Sequence, residues 1–142
     1  MNRTASAQWT GDLRKGKGTM SASSGAFKEI PYSFVTRFEN SPGTNPEELI
    51  AAAHAGCFTM SVSATLWRAG FTAKNLSTTA TVSIEQVGGN WTITAVHLDL
   101  TADVPGVGKE EFAKFAAEAK ANCPVSRLLK ADITLDARLQ QA

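Results

Sequence analysis

Apolar and polar positions alternate at the start of the chain in a way that predicts three strands. Residues 5–10 and 18–23 flank a turn-rich Gly-Asp-Leu-Arg-Lys-Gly segment, which is typical of a hairpin. Residues 32–38 also alternate, with the aromatic residues and Thr36 on one face and Arg37 on the other. The first forty residues therefore predict a small antiparallel sheet.

The pattern then changes to that of a long helix. Asn45 is a suitable N-cap, Pro46 fits the first helical position, and Glu48 stands where a capping box needs an acidic residue. Helical residues continue to about residue 69, and Gly70 is a typical helix stop. The pattern predicts one long helix in the middle of the chain.

The second half of the chain mixes strands and helices. The predicted elements are a hairpin of strands 77–86 and 91–103 around a turn at 88–90, a helix over 109–122, a short helix from Pro124 to about residue 130, and a closing strand over 132–139. The order β-β-β-α-β-β-α-α-β has no repeat and no linker. It predicts an α+β fold in a single domain, 1–142.

The long helix has an unusually uncharged body. Residues 49–67 contain no Asp, Glu, Lys or Arg and approach the length of a membrane span. They also contain His54, several hydroxyl side chains and five alanines, and they have no neighbouring span. We interpret the segment as a soluble helix that is buried on nearly every side. A single small domain has too little structure to surround such a helix, so the pattern favours a partner.

Composition and charge exclude some kinds of partner. The chain has 142 residues and a net charge of +1, with neither sign in a long block, which argues against nucleic acid or an anionic membrane as a partner. Its charged fraction of 19% is below the roughly 25% of an average soluble domain. The N-terminus has no apolar segment of the signal-peptide type, so we expect a reducing, cytoplasmic location.

Two cysteines are the main candidates for chemistry. Cys57 lies in the middle of the long helix, and Cys123 precedes Pro124 at a predicted helix N-cap, where backbone N–H groups stabilise a thiolate. No CxxC or HExxH spacing indicates a metal site. Either thiol could be an inert core residue; if the two meet in space, they could form a sulfenic acid and then a disulfide.

Each of the two cysteines lies in an extended motif. Residues 43–58 read Gly-Thr-Asn-Pro-Glu-Glu-Leu-Ile-Ala-Ala-Ala-His-Ala-Gly-Cys-Phe, and residues 123–135 read Cys-Pro-Val-Ser-Arg-Leu-Leu-Lys-Ala-Asp-Ile-Thr-Leu. Both closely resemble signatures of the osmotically inducible protein C / organic hydroperoxide resistance (OsmC/Ohr) family. The resemblance covers essentially the whole chain. The Thr-Arg-Phe-Glu of residues 36–39 and the Ala-His-Ala before Cys57 look more like the osmotically inducible (OsmC-like) branch.

The resemblance implies a fold, an activity and a site. It implies an intertwined homodimer with the OsmC-like fold and a thiol peroxidase that reduces organic hydroperoxides, and hydrogen peroxide more weakly, in oxidative or osmotic stress defence. On this pattern Cys57 is the peroxidatic cysteine, Cys123 is the resolving cysteine, Arg37 stabilises the Cys57 thiolate, and Glu47 holds Arg37. It implies no bound cofactor and an external dithiol reductant, of lipoyl type or a lipoylated protein. Spacing alone leaves open whether Glu47 or Glu48 pairs with Arg37.

Two other functions fit parts of the sequence. His54 lies one helical turn before Cys57, and a Cys–His pair is typical of a cysteine-dependent hydrolase or acyltransferase. A polar core or interface histidine is the alternative interpretation of His54. The chain could also be a non-enzymatic dimeric stress or ligand-binding protein whose thiols are only buried.

Overall fold

The computed structural model describes residues 1–140 and confirms an α+β fold. The elements in chain order are β1 Ala5–Thr10, β2 Lys17–Ala22, β3 Ile30–Tyr32, α1 Phe34–Phe38, α2 Pro46–Arg68, β4 Asn75–Val87, β5 Asn90–Asp103, α3 Lys109–Asn122, α4 Pro124–Leu128 and β6 Asp132–Gln140. The chain divides into two compact units, Met1–Leu49 (the N-terminal unit) and the part from Ile50 onward (the C-terminal unit). The expected single domain over 1–142 stays a prediction.

The N-terminal unit is a three-stranded antiparallel sheet in the order β1-β2-β3, followed by a short helix. The predicted hairpin is confirmed, with Trp9 opposite Gly18. The predicted strand over 32–38 is wrong, because the chain turns into α1 at Ser33. The Ser33 hydroxyl accepts the Thr36 N–H, and the Thr36 hydroxyl accepts the Ser33 N–H, which is a complete capping box. Arg37 therefore lies in the last turn of a helix.

Helix α2 begins and ends almost where the sequence predicts. The Asn45 carboxamide oxygen accepts the Glu48 N–H at 2.8 Å, while the Glu48 carboxylate accepts the Thr44 hydroxyl at 3.0 Å. At the other end, Gly70 has φ +87°, and the Phe71 N–H bonds the Leu66 carbonyl at 2.9 Å. This arrangement is a Schellman motif, which satisfies carbonyls that the helix leaves free.

Within one chain, α2 is buried along a single face. His54, Phe58 and Val62, one turn apart, are completely buried, whereas Met60 and Trp67 are each 76% exposed. The expectation of a helix buried on nearly every side is therefore wrong for the single chain. By length and composition α2 could cross a membrane, and its buried face contributes to the hydrophobic core of the C-terminal unit.

The C-terminal unit is built on a sheet in the order β4-β5-β6. The predicted hairpin is confirmed, since β4 and β5 are antiparallel, and β6 returns parallel to β5 after α3 and α4. Central strand β5 buries Val96, Leu98 and Leu100 completely. Helix α4 ends at Leu128, shorter than predicted, because Leu129 has an extended backbone. Cys123 is both the C-cap of α3 and the N-cap of α4.

Candidate functional site

The first component of the site is an ion pair in the N-terminal unit. Arg37 Nη2 lies 2.7 Å and Nε 3.0 Å from Glu47 Oε1, and Nε lies 3.2 Å from Oε2. The Glu47 side chain is 10% exposed and the Arg37 side chain 37% exposed. Two guanidinium nitrogens that donate to one carboxylate fix the direction of the Arg37 side chain as well as its position.

Local structure explains why Glu47, and not Glu48, holds Arg37. The Asn45 side chain donates to the Thr36 carbonyl at 3.1 Å, which ties α1 to the start of α2. This contact places the last turn of α1, with Arg37, beside the first turn of α2. Glu47 is buried there, whereas Glu48 is exposed and bonds Thr44. The structure thus answers the choice that sequence spacing left open.

An aromatic cavity of about 260 Å³ adjoins the Arg37 side chain within the same unit. Its lining consists of Trp9, Leu13, Tyr32, Ser33, Phe34, Arg37 and Phe38. The Trp9 and Tyr32 rings lie 5.5 Å apart, and the Arg37 guanidinium lies 5.1 Å from the centre of the Phe38 ring. The cavity therefore combines an apolar wall with one fixed cation.

The second component is the pair of cysteines in the C-terminal unit. Cys57 on α2 is partly exposed, Cys123 between α3 and α4 is completely buried, and both are free thiols within the described residues. The two side chains lie close enough that each thiol shifts the pKa of the other. The structure thus brings together two thiols that lie far apart in the sequence.

The surroundings of the two thiols differ. Burial raises the pKa of the Cys57 thiol and the adjacent Cys123 raises it further, against a lowering contribution from the Val125 backbone N–H. Burial alone would also raise the pKa of Cys123, but the Ser126 backbone N–H, the Cys57 thiol and the Ser126 hydroxyl together bring it below the usual range. Within one chain, the surroundings therefore raise the pKa of Cys57 and lower that of Cys123.

His54 is a core histidine with one partner. Its Nε2 lies 2.8 Å from the Ser126 hydroxyl oxygen on α4, and its Nδ1 is buried with no hydrogen-bond partner among residues 1–140. Burial lowers the pKa of His54, so the ring is neutral at pH 7. His54 Nε2 is therefore directed at Ser126.

The structure groups the expected site residues in two pairs. Arg37 and Glu47 are joined in the N-terminal unit, and Cys57 and Cys123 are joined in the C-terminal unit. The sequence did not reveal the hydrogen bond between His54 and Ser126, nor that Trp9 lines a cavity with Arg37. The aromatic residues of 32–38 were the available signal for that cavity. Residues 1–140 hold no group of His, Cys, Asp or Glu side chains arranged for a metal ion. The expectation of no bound cofactor stays a prediction.

Comparison with known proteins gives one consistent family. The OsmC-like protein family model matches residues 38–138. The chain is 48% identical over 140 residues to Peroxiredoxin OsmC of Escherichia coli (strain K12), covering 99% of this chain and 98% of the relative.

Solved structures share the fold. An OsmC-like protein from Mycoplasma pneumoniae has a TM-score of 0.75 at 16% identity, with 99% of both chains covered. An organic hydroperoxide resistance protein from Elizabethkingia anophelis, with thiocyanate bound, has a TM-score of 0.69 at 25% identity and covers 100% of this chain and 99% of its own. Together with the paired thiols and the motifs that carry them, these matches show that the chain belongs to the OsmC-like protein family.

Proposed function

We propose that the chain reduces organic hydroperoxides by a two-cysteine cycle, with Cys57 as the peroxidatic and Cys123 as the resolving cysteine. The observation that carries this proposal is that one partly exposed and one buried thiol lie close enough to shift each other's pKa. Whole-chain identity of 48% to a peroxiredoxin supports a peroxidase that acts in stress defence. The chain is thus a thiol-dependent peroxidase, and the roles of its individual residues are our proposal.

The residue types account for each step of the cycle. The Cys57 thiolate attacks one peroxide oxygen, the O–O bond breaks, and the alkoxide leaves as an alcohol after it takes a proton. Cys57 is then a sulfenic acid. Cys123 attacks the Cys57 sulfur, and a disulfide forms with loss of water. An external dithiol, for which we propose a lipoyl group or a lipoylated protein, gives up two electrons and restores both thiols.

Accessibility supports Cys57 as the residue that takes the first step. Cys123 is completely buried, so a hydroperoxide with a bulky substituent cannot reach its sulfur, whereas Cys57 is partly exposed. The surroundings of Cys57 in a single chain raise its pKa, through burial first, so the thiolate needs a cation that these surroundings do not supply. We propose Arg37 for this role, because it stays charged and its direction is fixed by Glu47.

The cavity beside Arg37 supports an organic substrate. Its aromatic wall offers apolar surface to a hydrocarbon substituent, and the guanidinium offers donors to the peroxide and to the departing alkoxide. Hydrogen peroxide has no apolar part and gains only from the charge. We therefore propose organic hydroperoxides as the preferred substrates and a reducing compartment, the cytoplasm, as the site of action.

A homodimer would cover apolar surface that a single chain leaves exposed. All buried apolar residues of the described chain lie from Phe58 onward, so the N-terminal sheet contributes none. Met60 and Trp67 expose apolar surface on α2, and Met60 lines an open groove of about 630 Å³ between α2 and the start of β4. We propose that a second copy of the chain covers these surfaces in an intertwined homodimer.

Helix geometry extends the proposal to a shared site. Glu47 and Cys57 are ten residues apart on α2, which corresponds to roughly 15 Å along the axis and to different faces. An Arg37 held by Glu47 would therefore serve Cys57 most readily from the other copy. We propose that each site combines Cys57 and Cys123 of one protomer with Arg37 and Glu47 of its partner.

We expect replacement of each cysteine to have a different effect on peroxide reduction. Cys57→Ser should abolish reduction of cumene hydroperoxide, because the attacking sulfur is lost. Cys123→Ser should complete one turnover and stop at a sulfenic acid, which dimedone labelling and mass spectrometry would detect. Wild-type turnover by Cys57→Ser would contradict the assignment. Ester hydrolysis by the Cys123→Ser variant would favour the hydrolase alternative instead.

The two neighbouring glutamates provide a matched pair for the Arg37 proposal. Glu47→Gln should lower kcat/KM for cumene hydroperoxide by roughly ten- to a hundredfold, because Arg37 loses the charge that fixes its direction. Glu48→Gln should stay within about twofold, since Glu48 is exposed and bonds Thr44. Stopped-flow kinetics measure both, with thermal melts to confirm folding. Equal losses in the two variants would remove the ion pair from the mechanism.

Complementation tests the shared site. Cys57→Ser and Arg37→Ala chains should each be nearly inactive alone. After refolding of a one-to-one mixture, random dimers should recover roughly a quarter of the wild-type activity, because each heterodimer contains one intact site. Sedimentation velocity of the same samples measures the oligomeric state. A mixture that stays inactive while heterodimers are present, or a fully active monomer, would contradict this proposal.

A further inference from the structure

We propose that Ser126 and His54 act as positioning residues for Cys123 and make it the thiolate that leaves when an external dithiol reduces the Cys57–Cys123 disulfide. This inference rests on the proposed two-cysteine cycle and adds two residues to it. Neither residue touches the peroxide in the proposed cycle, and both act through Cys123.

The geometry begins with a hydrogen bond between α2 and α4. His54 Nε2 lies 2.8 Å from the Ser126 hydroxyl oxygen, and the His54 side chain is completely buried. Ser126 follows Cys123 by three residues in the first turn of α4, and its hydroxyl acts to lower the pKa of the Cys123 thiol. Three polar groups from α2, α4 and the α3–α4 junction therefore form one chain of interactions.

Hydrogen-bond satisfaction fixes the direction of this chain. The His54 Nδ1 is buried and has no partner among residues 1–140. A buried, unpaired N–H is rarer in proteins than an unpaired acceptor, so the neutral ring carries its proton on Nε2 and leaves Nδ1 as the bare acceptor. Nε2–H then donates to the Ser126 oxygen, and the Ser126 O–H is free to donate to Cys123. Every donor in the chain is directed toward the sulfur.

Donors from the backbone act in the same direction. The Val125 and Ser126 N–H groups, in the first turn of α4, also stabilise negative charge on Cys123. The titratable group that acts directly on Cys123 is Cys57 on α2; His54, also on α2, acts through Ser126. On α3, the cation of the last turn, Lys120, donates to the Ile133 carbonyl instead.

Burial determines which sulfur of the disulfide is attacked. An external dithiol reaches Cys57, which is partly exposed, and not Cys123, which is completely buried. Its thiolate forms a mixed disulfide with Cys57, and the S–S bond electrons leave on Cys123 as a thiolate. The second thiol of the reductant then displaces Cys57 and closes a cyclic disulfide, so the dithiol is oxidised by two electrons. A leaving thiol of lower pKa leaves faster, so stabilisation of Cys123 accelerates the first displacement.

The test measures the Cys123 thiolate without any peroxide. In a Cys57→Ser background, the ultraviolet absorbance of the thiolate is followed across a pH series. Ser126→Ala should move the Cys123 titration to higher pH by roughly one unit, the effect of one charge-assisted hydrogen bond. Ser126→Thr keeps the hydroxyl and should titrate like the parent. His54→Leu should move the curve in the same direction as Ser126→Ala, and His54→Gln, which keeps a donor, should move it less.

A second readout follows the leaving step. The disulfide is formed in chains with both cysteines by the thiol oxidant diamide, and its reduction by dithiothreitol is timed. Ser126→Ala should be reduced about threefold or more slowly relative to the parent, and Ser126→Thr at the parent rate. Because neither readout uses a hydroperoxide, a chain that lacked peroxidase activity would still report on Ser126.

The outcomes separate the two proposals. Superimposed titrations of the parent and Ser126→Ala would overturn this inference, as would equal shifts for Ser126→Ala and Ser126→Thr, which would indicate packing instead of the hydroxyl. An unchanged reduction rate for Ser126→Ala would overturn the leaving-group role. Ser126 is only partly buried and alanine favours a helix, so we expect Ser126→Ala to fold. The Ser126→Ala variant therefore decides the result even if His54→Leu does not fold.

Discussion

The burial of α2 along one face constrains the rest of the molecule. The helix carries Glu47 in its first turn and Cys57 in its middle, and its apolar body is uncharged from 49 to 67. One chain covers the side of His54 and Phe58 and leaves Met60 and Trp67 in solvent. Removing such surface from water is favourable, so α2 organises the core of its own chain and, in the homodimer that we propose, supplies the driving force for association.

The same helix accounts for the different roles that we propose for the two cysteines of one chain. Cys57 projects from α2 where solvent reaches it, and Cys123 lies in the core at the start of α4, beside donors that stabilise its thiolate. Within one chain, the pKa of Cys123 is lowered and that of Cys57 is raised. In the cycle that we propose, accessibility nevertheless gives the peroxide step to Cys57, and the donors around Cys123 serve resolution and release. In our proposal, activation of Cys57 depends on a cation from outside its immediate surroundings, and Arg37, fixed by Glu47, is suited to this role.

Sequence patterns predicted the elements that local rules control. The caps of α2 at Asn45 and Gly70 and the alternation of β6 follow from residue chemistry within a few positions, and the structure confirms them. The prediction of a strand over 32–38 was wrong. Aromatic alternation there fits a strand, but Ser33 and Thr36 form a capping box that starts a helix. Both local signals are present in this segment, and the capping hydrogen bonds determine its structure.

The site itself depended on contacts that local rules do not encode. The family resemblance supplied Arg37, Glu47, Cys57 and Cys123, and only the fold showed which glutamate is buried beside Arg37. The His54–Ser126 hydrogen bond joins residues 72 positions apart, so no spacing rule could predict it. Such pairs are set by how α4 packs on α2, and this depends on the whole C-terminal unit.

The most direct measurement of the central claim is peptide mapping after treatment with one equivalent of cumene hydroperoxide per chain. Isotope-labelled and unlabelled chains are mixed and refolded first, so that disulfides within one chain and between two chains differ in mass. The account predicts a Cys57–Cys123 disulfide between peptides of the same label, with the loss of both thiols. An oxygenated Cys123 beside an unmodified Cys57 thiol, or disulfides between differently labelled peptides only, would contradict it.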